Sequence, residues 1–299
     1  MDERTSAVRE QDAPSTDGNG RSVAEAEVPK LPKPRERFLE LRSRLTQRKT
    51  ILYGVVGVII FFVIWEIGHL ITPETQQRFL PSPGTVIVTL YELLAEKGFI
   101  GDIGKSIYRI YLSYFLACLI AVPIGVLMGC FARLRALIGP TVAGWRYLPA
   151  VAFVPLLLIW FGAGDTSKMA LLFLGCFWFL MVVILDNVLS VPDELIESSL
   201  TMGAGRWRVV FDVVWKYSAP TIMDSLRSLA AIGWTYLVVA EIVAATDGIG
   251  AVMMRAGRFL HVDVIMAGIL TIGVLGILTD IGFRVASRFM FPYNFRRRG

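Results

Sequence analysis

The sequence predicts an all-α integral membrane protein, and three observations carry that prediction. Of the 299 residues, 55% are hydrophobic and only 18% charged. Mean hydropathy is +0.58, which leaves too little polar content to cover an ordinary globular surface. The apolar residues are gathered into runs, and a helix needs roughly 20 such residues to cross a bilayer. Those runs are continuous, whereas a barrel strand alternates over about ten residues, so helices do the spanning.

In chain order, residues 1–50 form a tail. Residues 1–29 are rich in Asp, Glu, Ser, Arg and Gly with no early apolar core, so a cleavable signal peptide is not expected and a disordered cytoplasmic segment is. From Pro34 to Thr50, Phe38, Leu41 and Leu45 recur at helical spacing among arginines, the pattern of an amphipathic helix lying on the inner membrane surface.

The membrane domain runs from 51 to 290, with about six transmembrane helices expected at 51–71, 110–131, 145–163, 168–190, 222–246 and 264–287. The third carries Arg146 and Pro149 in its first turns. Thr72 to Lys105 reads as an external segment, turning at Pro81-Ser-Pro83 with a shallow helix near Val86 to Leu94. Gly162 to Lys168 is a short turn, so the third and fourth spans should be antiparallel neighbours. A second external connection opens at Thr246-Asp-Gly-Ile-Gly250.

The net charge of +5 does not point to nucleic acid, because the excess lies beside the spans. Lys30, Lys33, Arg35, Arg37, Arg42, Arg44, Arg48 and Lys49 precede the first, and Arg284, Arg288 and Arg296 to Arg298 close the last. The positive-inside rule then puts both termini, and the loop Arg133 to Arg146, in the cytoplasm. Cys118, Cys130 and Cys176 fall inside apolar runs without metal or disulfide spacing, and His69 and His261 stand alone at span edges. No metal site is expected.

Between the fourth and fifth spans, residues 194–220 read ELIESSLTMGAGRWRVVFDVVWKYSAP. Ser190, Pro192 and Asp193 can open a helix as a weak capping box. Leu195, Ser199 and Met202 share one of its faces. Gly203-Ala-Gly205 allows a turn, and in the helix after it Trp207, Val210, Phe211 and Val214 repeat at i, i+3, i+4, i+7. Arg208, Asp212 and Lys216 stand four apart on another face. The insert is therefore helix, glycine turn, amphipathic helix on the cytoplasmic side, which suits either insertion into a groove on another protein or an interfacial cap on the bundle.

At these residues the chain resembles the permease subunits of binding-protein-dependent ATP-binding-cassette (ABC) importers. Glu197-Ser198-Ser199 stands where the family's signature has Glu-Ala-Ala, Gly203 is in register, and Val213 follows after nine intervening residues. Trp215 and Lys216 replace the expected Leu and Pro, and Pro220 matches a second proline. Arg146-Tyr-Leu-Pro-Ala-Val-Ala-Phe-Val-Pro155, Leu158 to Asp165, Val239-Ala-Glu-Ile-Val-Ala-Ala and Gly248-Ile-Gly250 resemble the branch importing taurine, alkanesulfonates, nitrate or bicarbonate. The likeness covers roughly residues 75–290.

The resemblance implies a type I (MetI-like) importer permease fold in the cell inner membrane, with Glu197, Ser198, Ser199, Gly203, Arg206, Trp207 and Arg208 coupling to an ATPase. It implies a second permease copy, two cytoplasmic ABC ATPase subunits that bind ATP and Mg, and an external substrate-binding protein, with no cofactor in this chain. The chain itself is not expected to be an enzyme. Gly101-Asp-Ile-Gly-Lys-Ser106 ends like a phosphate-binding loop, but Phe99 stands where that loop needs its first glycine.

Five residues are pathway or gating candidates. Arg146 is placed either to attract an oxyanion or to anchor the cytoplasmic boundary. Glu241, deep in an apolar run, should face the bundle interior and pair with an arginine or with backbone amides. Trp160, Phe161 and Trp234 either line a narrow pathway or serve as interfacial anchors. The alternative function is an ion-coupled carrier or channel without an ATPase, for which Asp186, Glu241 and Asp280 are the available acids.

Overall fold

A computed structural model describes residues 46–243 and 245–292. The expected disordered tail, and the interfacial helix up to residue 45, lie outside the described residues. Two compact units divide the chain, Met1–Val56 and Gly57–Gly299, and the second contains every helix after the first.

Every described element is helical: α1 Gln47–Ile71, α2 Pro83–Ala95, α3 Phe99–Cys130, α4 Ala132–Trp145, α5 Val154–Phe161, α6 Asp165–Leu189, α7 Asp193–Thr201, α8 Arg206–Arg208, α9 Trp215–Val243, α10 Ile249–Arg258 and α11 Val262–Met290. Among the described residues five helices are long and apolar enough to cross a membrane; α4 and the Ala150–Phe161 segment, bent by 83° at the break between them, make a sixth apolar stretch, either a broken span or a re-entrant loop. The expected third span at 145–163 is not one continuous helix: Arg133 to Trp145 is helix rather than loop, and the break falls at Arg146–Pro149 because proline removes a backbone donor and disfavours helical geometry in the residue before it. Trp145 stacks on Trp178, near the middle of α6, at 5.2 Å and on Phe153 at 5.7 Å. The break therefore sits at mid-height of the bundle.

α3 packs along α6 through a ladder of small residues spaced by four. Ser113, Ala117, Ala121 and Gly125 are buried, and Gly129 continues the row. A Cβ on Gly125 would lie 2.8 Å from Ile184 Cγ2, and one on Gly129 would collide with Val188. Lipid tails are as apolar as a leucine surface, so such helices associate by close backbone approach, which small residues permit.

α2 covers the helix expected near Val86 to Leu94. Ser82 caps it, its Oγ accepting from Thr85 N at 3.1 Å, and one face packs into the bundle: Val86 and Leu93 are buried with Phe99, Ile249 and Ala267. Trp65 Nε1 donates to Pro81 O at 3.0 Å, and His69 Nδ1 lies 2.7 Å from Leu80 O, tying the end of α1 to the turn before α2. α3 begins at Phe99, well before the expected 110, so Gly101–Ser106 is helix and not a loop.

Candidate functional site

The row of small residues on α3 ends, one turn before Ser113, at Arg109. Its side chain has no solvent exposure. A charge in such a place needs several partners, and Arg109 has them. Nη1 donates to Glu241 Oε1 at 2.9 Å and to Asp247 O at 3.2 Å; Nε and Nη2 donate to Asp165 Oδ1 at 3.0 and 2.5 Å. Nη2 also bonds Asp247 Oδ1.

Glu241, equally buried, accepts from Ser106 Oγ at 2.7 Å and from Gly250 N at 2.9 Å. Lys168, 1% exposed, donates to Thr246 Oγ1 and Asp247 Oδ1 at 2.7 and 3.0 Å, while Lys105 reaches Asp247 Oδ2 at 2.7 Å. Asp102 accepts from Gly248 N at 2.7 Å. Burial alone would raise the Asp247 carboxyl, but the bonds from Lys105, Lys168 and Arg109 outweigh it and hold the group well below the usual carboxylate range.

The cluster locks α3, α6 and α9 together at one end of the bundle and pins the turn into α10. A Cβ at Gly248, where φ is +97°, would collide with the Glu241 carboxylate, and one at Gly250 would stand 2.7 Å from Glu241 Cβ and 3.0 Å from Val238 O. Glu241 thus pairs with both an arginine and a backbone amide, as its sequence context requires. Arg109, Lys168, Asp165 and Asp247 complete a site that the sequence pattern did not single out. The signal was available: Arg109 continues the four-residue ladder of small residues, so its face was fixed by them.

At the opposite end lies the insert. α7 starts at Asp193, yet Ser190 does not cap it. Its Oγ donates back to Asn187 O at 2.7 Å, so the residue closes α6 instead. α7 ends in a Schellman turn: Gly203, φ +86°, donates to Leu200 O at 2.9 Å and Ala204 N to Ser199 O at 3.0 Å. Ser199 Oγ and Ser198 Oγ both donate to Leu195 O, at 2.7 and 3.2 Å, and Glu197 is exposed.

After α8 the chain widens into a π-helical turn, Val209–Val214. This changes the faces expected from α-helical spacing. Val209, Val210 and Val214 are buried, whereas Trp207 and Phe211 are 60% and 61% exposed and stack on each other at 6.2 Å. The four-residue set Trp207, Val210, Phe211, Val214 therefore does not form one buried stripe. Arg206 and Arg208 are exposed beside it, and Lys216 Nζ meets Asp212 Oδ1 at 2.7 Å.

The pathway candidates are dispersed. Arg146 caps α4 at the break, half-buried, with its guanidinium 5.0 Å from the Tyr147 ring centroid and Nη2 donating to Tyr147 Oη at 3.0 Å. Among the described residues no carboxylate lies within ion-pair distance of it. Trp160 and Phe161 end α5, exposed and edge-to-face. Trp234 is buried, and its Nε1 donates to Thr279 Oγ1 at 3.2 Å. It stands on a groove of about 560 Å³ between α9 and α11.

Long apolar helices, one apolar stretch broken at mid-height, and an exposed helix–glycine–helix insert define the membrane domain of a transporter. Comparison gives the particular family. Residues 121–291 match the binding-protein-dependent transport system inner membrane components, and the chain belongs to that family, the permeases of ABC transporters. It is 34% identical to the taurine transport system permease protein TauC of Escherichia coli (strain K12), over 86% of this chain and 94% of that one. Against the aliphatic sulfonates transport permease protein SsuC of Bacillus subtilis (strain 168) identity is 28%, over 85% and 90%. An inward-facing structure of the MetNI methionine ABC transporter superposes with a TM-score of 0.53 at 18% identity, covering 62% of this chain and 94% of that one, a likeness of fold. Membership in this family favours a permease subunit of an ABC transporter over a carrier or channel acting alone.

Proposed function

We propose that two copies of this chain form the translocation pathway of an ATP-driven importer for a small sulfonate, delivered by an external binding protein. The observation that carries the substrate class is the 34% identity spread over 94% of a taurine permease. Nitrate and bicarbonate are the competing cargoes.

On this reading both termini and the Glu197–Arg208 segment lie in the cytoplasm, in line with the basic residues flanking the spans. Two ATPase subunits, which hold the ATP and Mg, receive α7 and α8 in their grooves. The support is physical. Leu195, Leu200, Met202, Trp207 and Phe211 are all more than a third exposed on one short segment, and an apolar patch beside exposed Glu197, Arg206 and Arg208 has the composition of a docking surface.

The break at Arg146 supports a role in the pathway. Unwound backbone at mid-membrane is tolerated where it lines a water-filled cavity, and a guanidinium with no carboxylate partner among the described residues suits a passing oxyanion. Trp160, Phe161 and Trp234 shape the route, while Glu241 belongs to the locked outer end and does not touch cargo.

Affinity purification of the tagged chain from its own host, with mass spectrometry, should recover an ATPase subunit. The recovered complex in proteoliposomes with ATP inside and binding protein outside should take up taurine or ethanesulfonate faster than nitrate or bicarbonate. Uptake of solute by the chain alone, without ATP, would overturn the importer; uptake of bicarbonate but no sulfonate would overturn the substrate class.

A further inference from the structure

The groove between α9 and α11 belongs neither to the Arg109 cluster nor to the α7–α8 insert. Its volume is about 560 Å³, and small residues such as Ala230, Ala231 and Gly276 leave it open. Trp234 stands on it, held in place by its bond to Thr279, which also meets Tyr111 Oη at 2.9 Å. Thr279 Oγ1 in turn donates to Leu275 O at 2.8 Å, so its hydrogen bonds are used up. At one end the lining is charged, with Arg227 and Asp280. Both lie towards the α7 end of their helices, inside the half of the bundle far from the Arg109 cluster.

The charges here are arranged differently from that cluster. Arg227, 30% exposed, touches Asp280 Oδ1 through Nε at 3.2 Å. Its Nη1 is 4.0 Å from Asp224 Oδ1, and Asp224 is 56% exposed, a contact at the limit of an ion pair and well screened. Asp280 has a second partner: Arg284 Nε and Nη2 both approach Oδ2 at 2.8 Å. Asp280 is thus shared between two arginines and stays neutralised by Arg284 if Arg227 lets go.

We infer that Arg227 is a transit site for the oxyanion cargo, with Asp280 as an exchangeable occupant: a sulfonate or similar oxyanion entering the groove displaces the Asp280 carboxylate from Arg227 and is displaced by it in turn. The exchange is between chemically like groups, since a guanidinium pairs with a carboxylate or a sulfonate oxygen alike, and Arg227 holds Asp280 by a single Nε contact. Competition from Asp280 keeps the site weak, and a transport site has to bind well enough to admit an ion yet release it. The inference rests on the proposed oxyanion cargo and assigns it a residue in the membrane domain.

The test uses the complete importer in proteoliposomes with taurine and ethanesulfonate as probes. Arg227→Gln should lower uptake about tenfold, the order of a lost charge-assisted bond, and Arg227→Lys should keep part of it. Asp280→Asn should do the opposite to affinity, lowering the apparent KM several-fold while slowing release, so the two halves of one ion pair give opposite shifts. A merely structural pair would give parallel losses.

A second readout tests the field directly. In Ser228→Cys, whose serine is exposed on the groove beside Arg227, a sulfonatoethyl methanethiosulfonate should react faster than its trimethylammonium analogue, and Arg227→Gln should abolish that preference. Both rates are read above the background of the three native cysteines.

Wild-type KM and rate in Arg227→Gln, with the wild type taking up sulfonate, would overturn the transit site and leave the importer reading intact. A wild-type complex that hydrolyses ATP but takes up neither probe would overturn the cargo reading. A Ser228→Cys chain deaf to both reagents but cross-linking to a second copy would show that the groove is filled by the partner permease, which also overturns the site.

Discussion

Removing Arg109 should cost more than removing any other single polar side chain of the bundle. In Arg109→Met the side chain remains long and apolar, but Glu241, fully buried, keeps only the Ser106 hydroxyl and the Gly250 amide. A buried carboxylate left without its cation costs about 3–5 kcal/mol. Glu241→Gln is milder. Its amide oxygen still accepts from Arg109 and Ser106, while its NH₂ is turned on the Gly250 donor, for about 1–3 kcal/mol. The double variant leaves no lone buried charge at Glu241, so its loss should fall short of the sum by about 1–3 kcal/mol. Melting of the detergent-purified protein, followed by tryptophan fluorescence, should show a drop on the order of 10 °C for Arg109→Met and partial recovery in the double variant. Additive losses within about 0.5 kcal/mol would mean that Arg109 and Glu241 are not coupled, and the account of the cluster would fail.

Asp247 gives a pH prediction. Its carboxyl is held below the usual range, so its contribution is complete well above the unfolded value of about 3.9 and is lost only as pH falls below about 4 towards the folded value. The difference in melting temperature between wild type and Asp247→Asn should therefore be flat from about pH 8 to pH 5 and shrink under more acid conditions; a steady change across neutral pH would contradict it. Gly203→Ala meets no atom within 4 Å, so its cost is confined to the backbone at φ +86°, about 1–2 kcal/mol. It should weaken coupling of ATP hydrolysis to uptake without preventing membrane insertion, and Gly203→Asn should be better tolerated. Gly129→Leu, by contrast, drives a side chain into Val188. It should lower the yield of folded protein, read as the monodisperse fraction in size-exclusion chromatography, while Gly144→Leu, where nothing lies within 4 Å, should not.

Much of this architecture was legible because a bilayer imposes simple rules. Span length, the charge of flanking residues and the glycine turn at Gly203 each derive from a local pattern, and Glu241 announced itself as a charge in an apolar run. What stayed hidden depended on registers that local patterns do not carry. The π-helical turn at Val209–Val214 rotates Trp207 and Phe211 away from Val210 and Val214, and nothing in an i, i+3, i+4 count foresees the extra residue of an i→i+5 turn. Arg146 and Pro149 were visible as irregularities, yet the 83° bend that puts Arg146 at mid-height required the stacking of Trp145 on Trp178. The partners of Glu241, Ser106 and Arg109 on α3 and Gly250 after α9, and the further members of the cluster, Asp165 and Lys168 on α6 and Asp247 after α9, are far apart in the chain, and no spacing rule links them.

The two ends of the bundle differ in a way that bears on how such a protein moves. At the Arg109 end the charged groups are mutually satisfied, two of them without any exposure, and the glycines are filled by the side chains they face. Moving one of these helices past another would strip a buried charge of its partners, so this end resists relative displacement. At the α7 end the charges are shared or solvent-exposed, as in the Asp280 pair with Arg227 and Arg284, and apolar side chains from Leu195 to Phe211 are left uncovered. A partner that pulls on α7 thus acts where the bundle yields, with the Arg109 cluster as the fixed end of the lever. On the proposed reading the ATPase supplies that pull, and rigid-body rotation of α3, α6 and α9 as one block is the motion this distribution of buried charge permits.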